Sequence, residues 1–110
     1  MIKISVMYPY QEGARFDHDY YRDQHMPLVQ TLMGEHCKGW SVDQGLGGAA
    51  PDSPPLYIAM CHILCESMDA FEAGMAPHAE RFNADIINYT DLTPVIQISE
   101  IRADWARPHS

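Results

Sequence analysis

The sequence predicts an α+β fold: a four-stranded antiparallel sheet carrying two helices on one face, in the chain order β-α-β-β-α-β. Three observations lead there. The two ends of the chain carry apolar residues with period two, over residues 2–8 and 95–101. Two internal stretches hold apolar residues at steps of three and four, the spacing of one helix face. And 110 residues suit a single domain, residues 1–110, with one core and no second module.

Ile2, Ile4, Val6 and Tyr8 alternate with Lys3, Ser5 and Met7, which makes the first strand, and Pro9 ends it. After a loop at Gly13, Asp17 is placed to cap a helix, Asp19 suits its positive end, and Phe16 and Tyr21 have the spacing of a hydrophobic staple. Tyr21, His25, Leu28, Val29 and Leu32 then form an inward face. Pro27 removes the bond to the Asp23 carbonyl, so a kink is expected there, or a break followed by a second helical piece.

Beyond Gly34, Trp40, Val42, Gln44 and Leu46 against Ser41 and Asp43 read as a second strand, and residues 45–55 form a loop rich in Gly, Ala and Pro, a candidate flexible cover. Residues 56–65 are apolar at nearly every position, the pattern of a central strand buried on both faces. Ser67 caps a second helix along Phe71, Met75, Ala79, Phe82, Ile86 and Tyr89, with Gly74 and Pro77 weakening or bending its middle. The fourth strand closes a ferredoxin-like split unit. With both helices on one side, the other face of the sheet is left open, and a two-fold homodimer packed sheet to sheet would cover it.

Composition narrows the function. Fifteen acidic against seven basic side chains give a net charge of −8, without a run of Lys or Arg, which argues against nucleic acid as a partner. No stretch approaches twenty apolar residues, so neither membrane insertion nor export is expected. An odd count of three cysteines in a domain of this size points to a reducing compartment, the cytoplasm by default, and to no disulfide framework. His18 and His25 are seven positions apart, about 10 Å along a helix, and Cys61 and Cys65 about 13 Å apart on a strand, so neither pair makes a metal site. Gly45, Gly47 and Gly48 lack the spacing and the following helix of a phosphate loop, which argues against nucleotide cofactors.

Two blocks carry a family resemblance. One is Phe16-Asp17-His18-Asp19-Tyr20-Tyr21-Arg22-Asp23-Gln24-His25-Met26-Pro27-Leu28; the other is Ala84-Asp85-Ile86-Ile87-Asn88-Tyr89-Thr90-Asp91, followed by Pro94, Ile96 and Gln97. In this order they resemble the EthD family, named for ethyl tert-butyl ether degradation, within the dimeric α/β-barrel superfamily. The resemblance covers nearly the whole chain and implies a homodimeric barrel and a catabolic role beside a cytochrome P450 monooxygenase system. It implies no defined reaction, since relatives of the fold include lactone isomerases, cofactor-independent monooxygenases, dehydratase-like proteins and haem enzymes.

His25 is the first catalytic candidate, as an acid/base on an inward face, with Tyr21 one turn earlier as its orienting or hydrogen-bonding partner. The structural alternative for His25 is a bond to a carbonyl freed by the proline. Tyr8, Tyr57, His62 and Gln97 come from strands and are candidates to orient a small hydrophobic substrate, if their strand parity turns them to the helix side. Asn88, Thr90 and Asp91 suit a helix-ending turn, and Cys61 suits a small core residue. Three functions remain open: a cofactor-independent oxidoreductase, isomerase or dehydratase using His25; a non-catalytic carrier of a hydrophobic intermediate for a partner monooxygenase; and, by the superfamily alone, a haem-binding protein.

Overall fold

The computed structural model describes residues 1–108; His109 and Ser110, the last two positions of the expected domain, lie outside the described residues. Strands β1 (Ile2–Pro9), β2 (Gly39–Gln44), β3 (Tyr57–Cys65) and β4 (Val95–Glu100) form one sheet in the order β2-β3-β1-β4, with every neighbouring pair antiparallel. Helix α1 spans residues 18–36 and helix α2 residues 68–88, giving the expected β-α-β-β-α-β order. No helix among the described residues is long and apolar enough to cross a membrane.

The core lies between the sheet and the helices. Ile4 and Tyr8 of β1 and Ala59, Cys61, Ile63 and Cys65 of β3 turn inward and are nearly sealed from water, with Tyr21, Met26, Val29 and Met33 of α1 and Phe82 of α2 above them. Full burial of a side chain of this kind contributes about 1.5–3 kcal/mol. The expectation that β3 is buried on both faces is corrected: its outward residues Ile58, Met60, His62 and Leu64 are only half-buried, because both helices pack on the other side of the sheet and only the loop of residues 45–55 and the segment after β4 border this one. Leu56 and Leu46, expected in strands, lie outside them and are exposed, while Pro9 is the last paired residue of β1, opposite Tyr57 across a register shift.

Asp17 caps α1, its carboxylate accepting the Tyr20 N–H at 3.0 Å, and the Phe16 and Tyr21 rings meet at 5.1 Å. The helix is irregular ahead of Pro27 but runs on without a break in helical turns. It opens into one π-turn, Tyr21–His25, in which the Met26 N–H reaches back to the Tyr21 carbonyl, and then resumes as Met26–Met33 and ends in the 3-10 turn Gly34–His36. A wider turn ahead of the proline absorbs the donor that its ring nitrogen lacks, and such turns recur at functional sites.

Ser67 caps α2 by accepting the Ala70 N–H at 3.1 Å. The helix passes through a 3-10 turn, Ala76–His78, at Pro77, continues as Ala79–Asp85 and finishes in the 3-10 turn Ile86–Asn88. Gly74 is buried against α1, where an added Cβ would stand 3.0 Å from the His36 Cβ. Its missing side chain therefore sets how closely the two helices approach.

Candidate functional site

Segments flanking the helices clamp the two quoted blocks together. The Asp17 N–H donates to the Tyr89 carbonyl at 2.7 Å, Phe16 bridges to Thr90, and the Thr90 hydroxyl donates to the Arg15 carbonyl and accepts the Leu92 N–H. Asp91 accepts the Arg15 N–H, and the Arg15 guanidinium donates to the Ile87 carbonyl. Thr90 and Asp91 thus satisfy backbone groups at this junction, the use to which such side chains are suited.

Inside the clamp, His25 and Asp85 meet, the ring Nδ1 standing 2.8 Å from the carboxylate Oδ2. The other oxygen, Oδ1, accepts the Tyr20 hydroxyl at 2.7 Å and the Asn88 amide at 2.9 Å. Burial alone would raise the Asp85 carboxyl, but the donors Tyr20, Asn88 and His25 together hold it below the ordinary carboxylate range. Burial lowers the His25 imidazole, against the opposing pull of Asp85. At neutral pH the pair is thus a neutral imidazole beside a carboxylate, and the ring proton sits on Nδ1, where the carboxylate accepts it.

His25 Nε2 is then the free acceptor. Among the described residues it makes no hydrogen bond, and no buried side-chain nitrogen or oxygen lacks a partner, so Nε2 is open rather than sealed. His25 lines a cavity of about 110 Å³ between the sheet and the helices, walled by Val6, Val29, Ile63, Phe82, Ile86 and Ile96 among others.

Three phenols share that cavity with His25. Tyr21 stacks on the imidazole, ring centroids 5.4 Å apart and planes within 11°. Tyr89 lies 4.7 Å from the imidazole by centroids, and its hydroxyl is 2.7 Å from that of Tyr8. Burial pushes all three phenols above their ordinary value, so they remain protonated donors at any physiological pH. Burial also pushes the Cys61 thiol at the cavity wall up to about 11, which leaves it a poor nucleophile.

Of the six residues singled out in the sequence, His25, Tyr21 and Tyr8 come together here, and the other three do not. His62 and Gln97 point from the opposite face of the sheet, in one cross-strand row with Ser5 and Ser41. There the Ser5 hydroxyl lies 2.7 Å from His62 Nδ1, Asp43 lies 3.2 Å from His62 Nε2, and Gln97 donates to Ser99. Tyr57 lines a separate depression with Met60, under the loop of residues 45–55, and no residue of that loop lines the His25 cavity. Two residues escaped the sequence reading: Asp85, and Tyr89, which was placed only on an apolar helix stripe. Both lie in the second quoted block, four residues apart, which was the available signal. Among the described residues no three His, Cys, Asp or Glu side chains converge as metal ligands.

The site lies within the part of the chain that shows its kinship. The family model described as the EthD domain matches residues 12–93, a span containing His25, Asp85 and Tyr89. An EthD-like protein from Ralstonia eutropha JMP134 is 48% identical, with a TM-score of 0.92 over 96% of this chain and 95% of that one. An ethyl tert-butyl ether degradation (EthD) family protein from Bacillus halodurans C-125 is 18% identical, with a TM-score of 0.68 over 92% and 98%. A dimeric ferredoxin-like protein of unknown function from Thermobifida fusca YX shares the fold at 15% identity, with a TM-score of 0.57 over 91% and 90%. None of the curated proteins matches the chain. On the family match and the near-full-length likeness at 48% identity, the chain belongs to the EthD family.

Proposed function

We propose that this chain is a cofactor-independent acid/base enzyme acting on a small, hydrophobic organic molecule in catabolism, with His25 as the group that takes and returns the proton. The observation that carries this reading is the His25–Asp85 hydrogen bond of 2.8 Å, which leaves Nε2 free on a residue that lines a largely apolar cavity. A neutral imidazole with a fixed tautomer is a base near its working pH, and positioned general bases contribute about 10²–10⁴-fold to a rate. Asp85 is a positioning residue, acting through the imidazole, and Tyr21 supports the ring by stacking.

The test is proton NMR of the protein mixed in turn with small ketones, lactones, ethers and alcohols. Conversion of one class by wild type and not by His25→Gln supports the reading. Binding without conversion by either protein overturns it in favour of the carrier for a partner monooxygenase.

The working unit is a homodimer, packed through the uncovered face of the sheet. Met7 and Met60 are cross-strand partners on that face, with Ile58 and Leu64 on the same side, and a dimeric protein shares the fold. The acidic charge supports an enzyme without nucleic-acid partners, and the three cysteines outside any disulfide framework support a cytoplasmic one.

A further inference from the structure

The His25 cavity contains more hydrogen-bonding capacity than proton transfer to a base requires. Of the hydroxyls of Tyr8 and Tyr89, 2.7 Å apart, one donates to the other, and the accepting hydroxyl keeps its own proton to donate elsewhere. Both phenols line the same cavity as His25, and the Tyr21 phenol stands beside them. A base and a relay of neutral O–H donors therefore address one small volume.

Charge in the lining decides the rest. No Lys, Arg, Asp or Glu lines the cavity, and the nearest full charge described is the Asp85 carboxylate behind the imidazole. A carboxylate or phosphate substrate would enter an apolar space without a cation, next to a like charge, and both its desolvation and that charge oppose binding. A neutral molecule that becomes an oxyanion only during reaction meets donors where its charge appears.

We propose that the Tyr8–Tyr89 hydroxyl pair is the oxyanion-binding element of this site and that the substrate is a neutral carbonyl compound bearing an acidic C–H next to the carbonyl. This rests on the reading of His25 as the base. His25 Nε2 takes the proton from the carbon, the C–H electron pair becomes the C=C bond of the enolate, and the carbonyl π pair moves onto oxygen. That oxygen accepts the free tyrosine O–H. The imidazolium then returns the proton to the same carbon or to another along the conjugated system, so no oxidant or second reactant is consumed. Burial keeps the phenols protonated, so they serve as donors rather than as competing bases.

The experiment follows loss of the α-proton signal of cyclopentanone in heavy water, catalysed by wild type, His25→Gln, Tyr89→Phe and the Tyr8→Phe/Tyr89→Phe double variant. Nitrogen-15 NMR of His25 is recorded for each, to show that the imidazole is still in place. The expected result is exchange above the buffer rate in wild type and a loss of about 10²–10³-fold in the double variant, with the His25 resonance retained. Double-variant exchange within threefold of wild type overturns the role of the pair. Absence of exchange in wild type overturns the carbonyl class. In that event, conversion of an ether or alcohol that disappears in His25→Gln keeps the imidazole as base while the oxyanion proposal falls, so the two failures are told apart.

Discussion

Tyr8 and Tyr89 stand 81 positions apart in the chain and meet hydroxyl to hydroxyl at 2.7 Å, each almost wholly buried. Truncating one leaves the other's hydroxyl without its partner, which costs about 1–3 kcal/mol. Tyr89→Phe and Tyr8→Phe should each lower the urea midpoint, and the double variant should lose less than the two combined. A double-mutant cycle showing no coupling would remove the hydrogen bond from the account.

The His25–Asp85 pair sets a pH dependence with a definite sign. Burial holds the imidazole below its ordinary 6.5. The unfolded chain therefore binds a proton at a pH where the folded chain does not, and acid favours unfolding. This contribution is fully present above 6.5 and is lost as pH falls below it; the Asp85 carboxyl, held below its ordinary 3.8, acts in the same direction at still lower pH. Urea unfolding between about pH 7 and pH 5 should show wild type losing stability and His25→Gln losing less. Equal slopes in the two proteins would contradict the depressed imidazole.

At Gly74 propensity and packing disagree. Alanine would be favoured by about 1 kcal/mol in an isolated helix. Here its Cβ would press on the His36 Cβ at 3.0 Å, an atom fixed to the neighbouring helix, and on the more yielding Met33 Cε at 3.1 Å. Gly74→Ala should therefore gain nothing, and Gly74→Leu should cost about 1–3 kcal/mol. Thermal melts of the two variants check this, a stabilised alanine variant being the contrary result.

The helix caps offer a cleaner case. The Ser67 hydroxyl accepts the Ala70 N–H on an exposed surface. Ser67→Ala should cost about 1 kcal/mol and Ser67→Asp should restore it.

On the outer face, Met60 of the third strand is only half-buried, at the edge of the loop of residues 45–55. Met60→Glu should convert a species of twice the chain mass into one of single mass in sedimentation equilibrium, with the far-ultraviolet circular dichroism unchanged. A wild-type protein of single mass would dispose of the sheet-to-sheet dimer.

The fold was legible in the sequence because its signals are local. Period-two strands, Asp17 and Ser67 at helix starts, and Pro27 and Pro77 as irregularities all act within a few residues. The site was legible in part. His25 sat on a helix face whose apolar neighbours announced its direction, while the inward turn of Tyr8, left open by strand parity, came from the pairing of β1. The neighbours of His62 announced nothing: the third strand is apolar on both parities, so only pairing shows that Cys61 and Ile63 turn inward and His62 outward. Gln97 lies on an edge strand exposed at nearly every position, where pattern again carries no direction. Asp85 became meaningful only when folding brought it to His25 from 60 positions away.

The π-turn of the first helix has a consequence for how this stretch can vary. The Met26 N–H passes over one residue more than an α-helix would to reach the Tyr21 carbonyl. At about 100° per residue, five residues of α-helix would set Tyr21 and Met26 on opposite sides, and the wider turn is what lets both face the core, where each is almost wholly buried. The surplus residue is taken up among Arg22, Asp23 and Gln24, all exposed. Those three positions can therefore change in identity without moving either anchor.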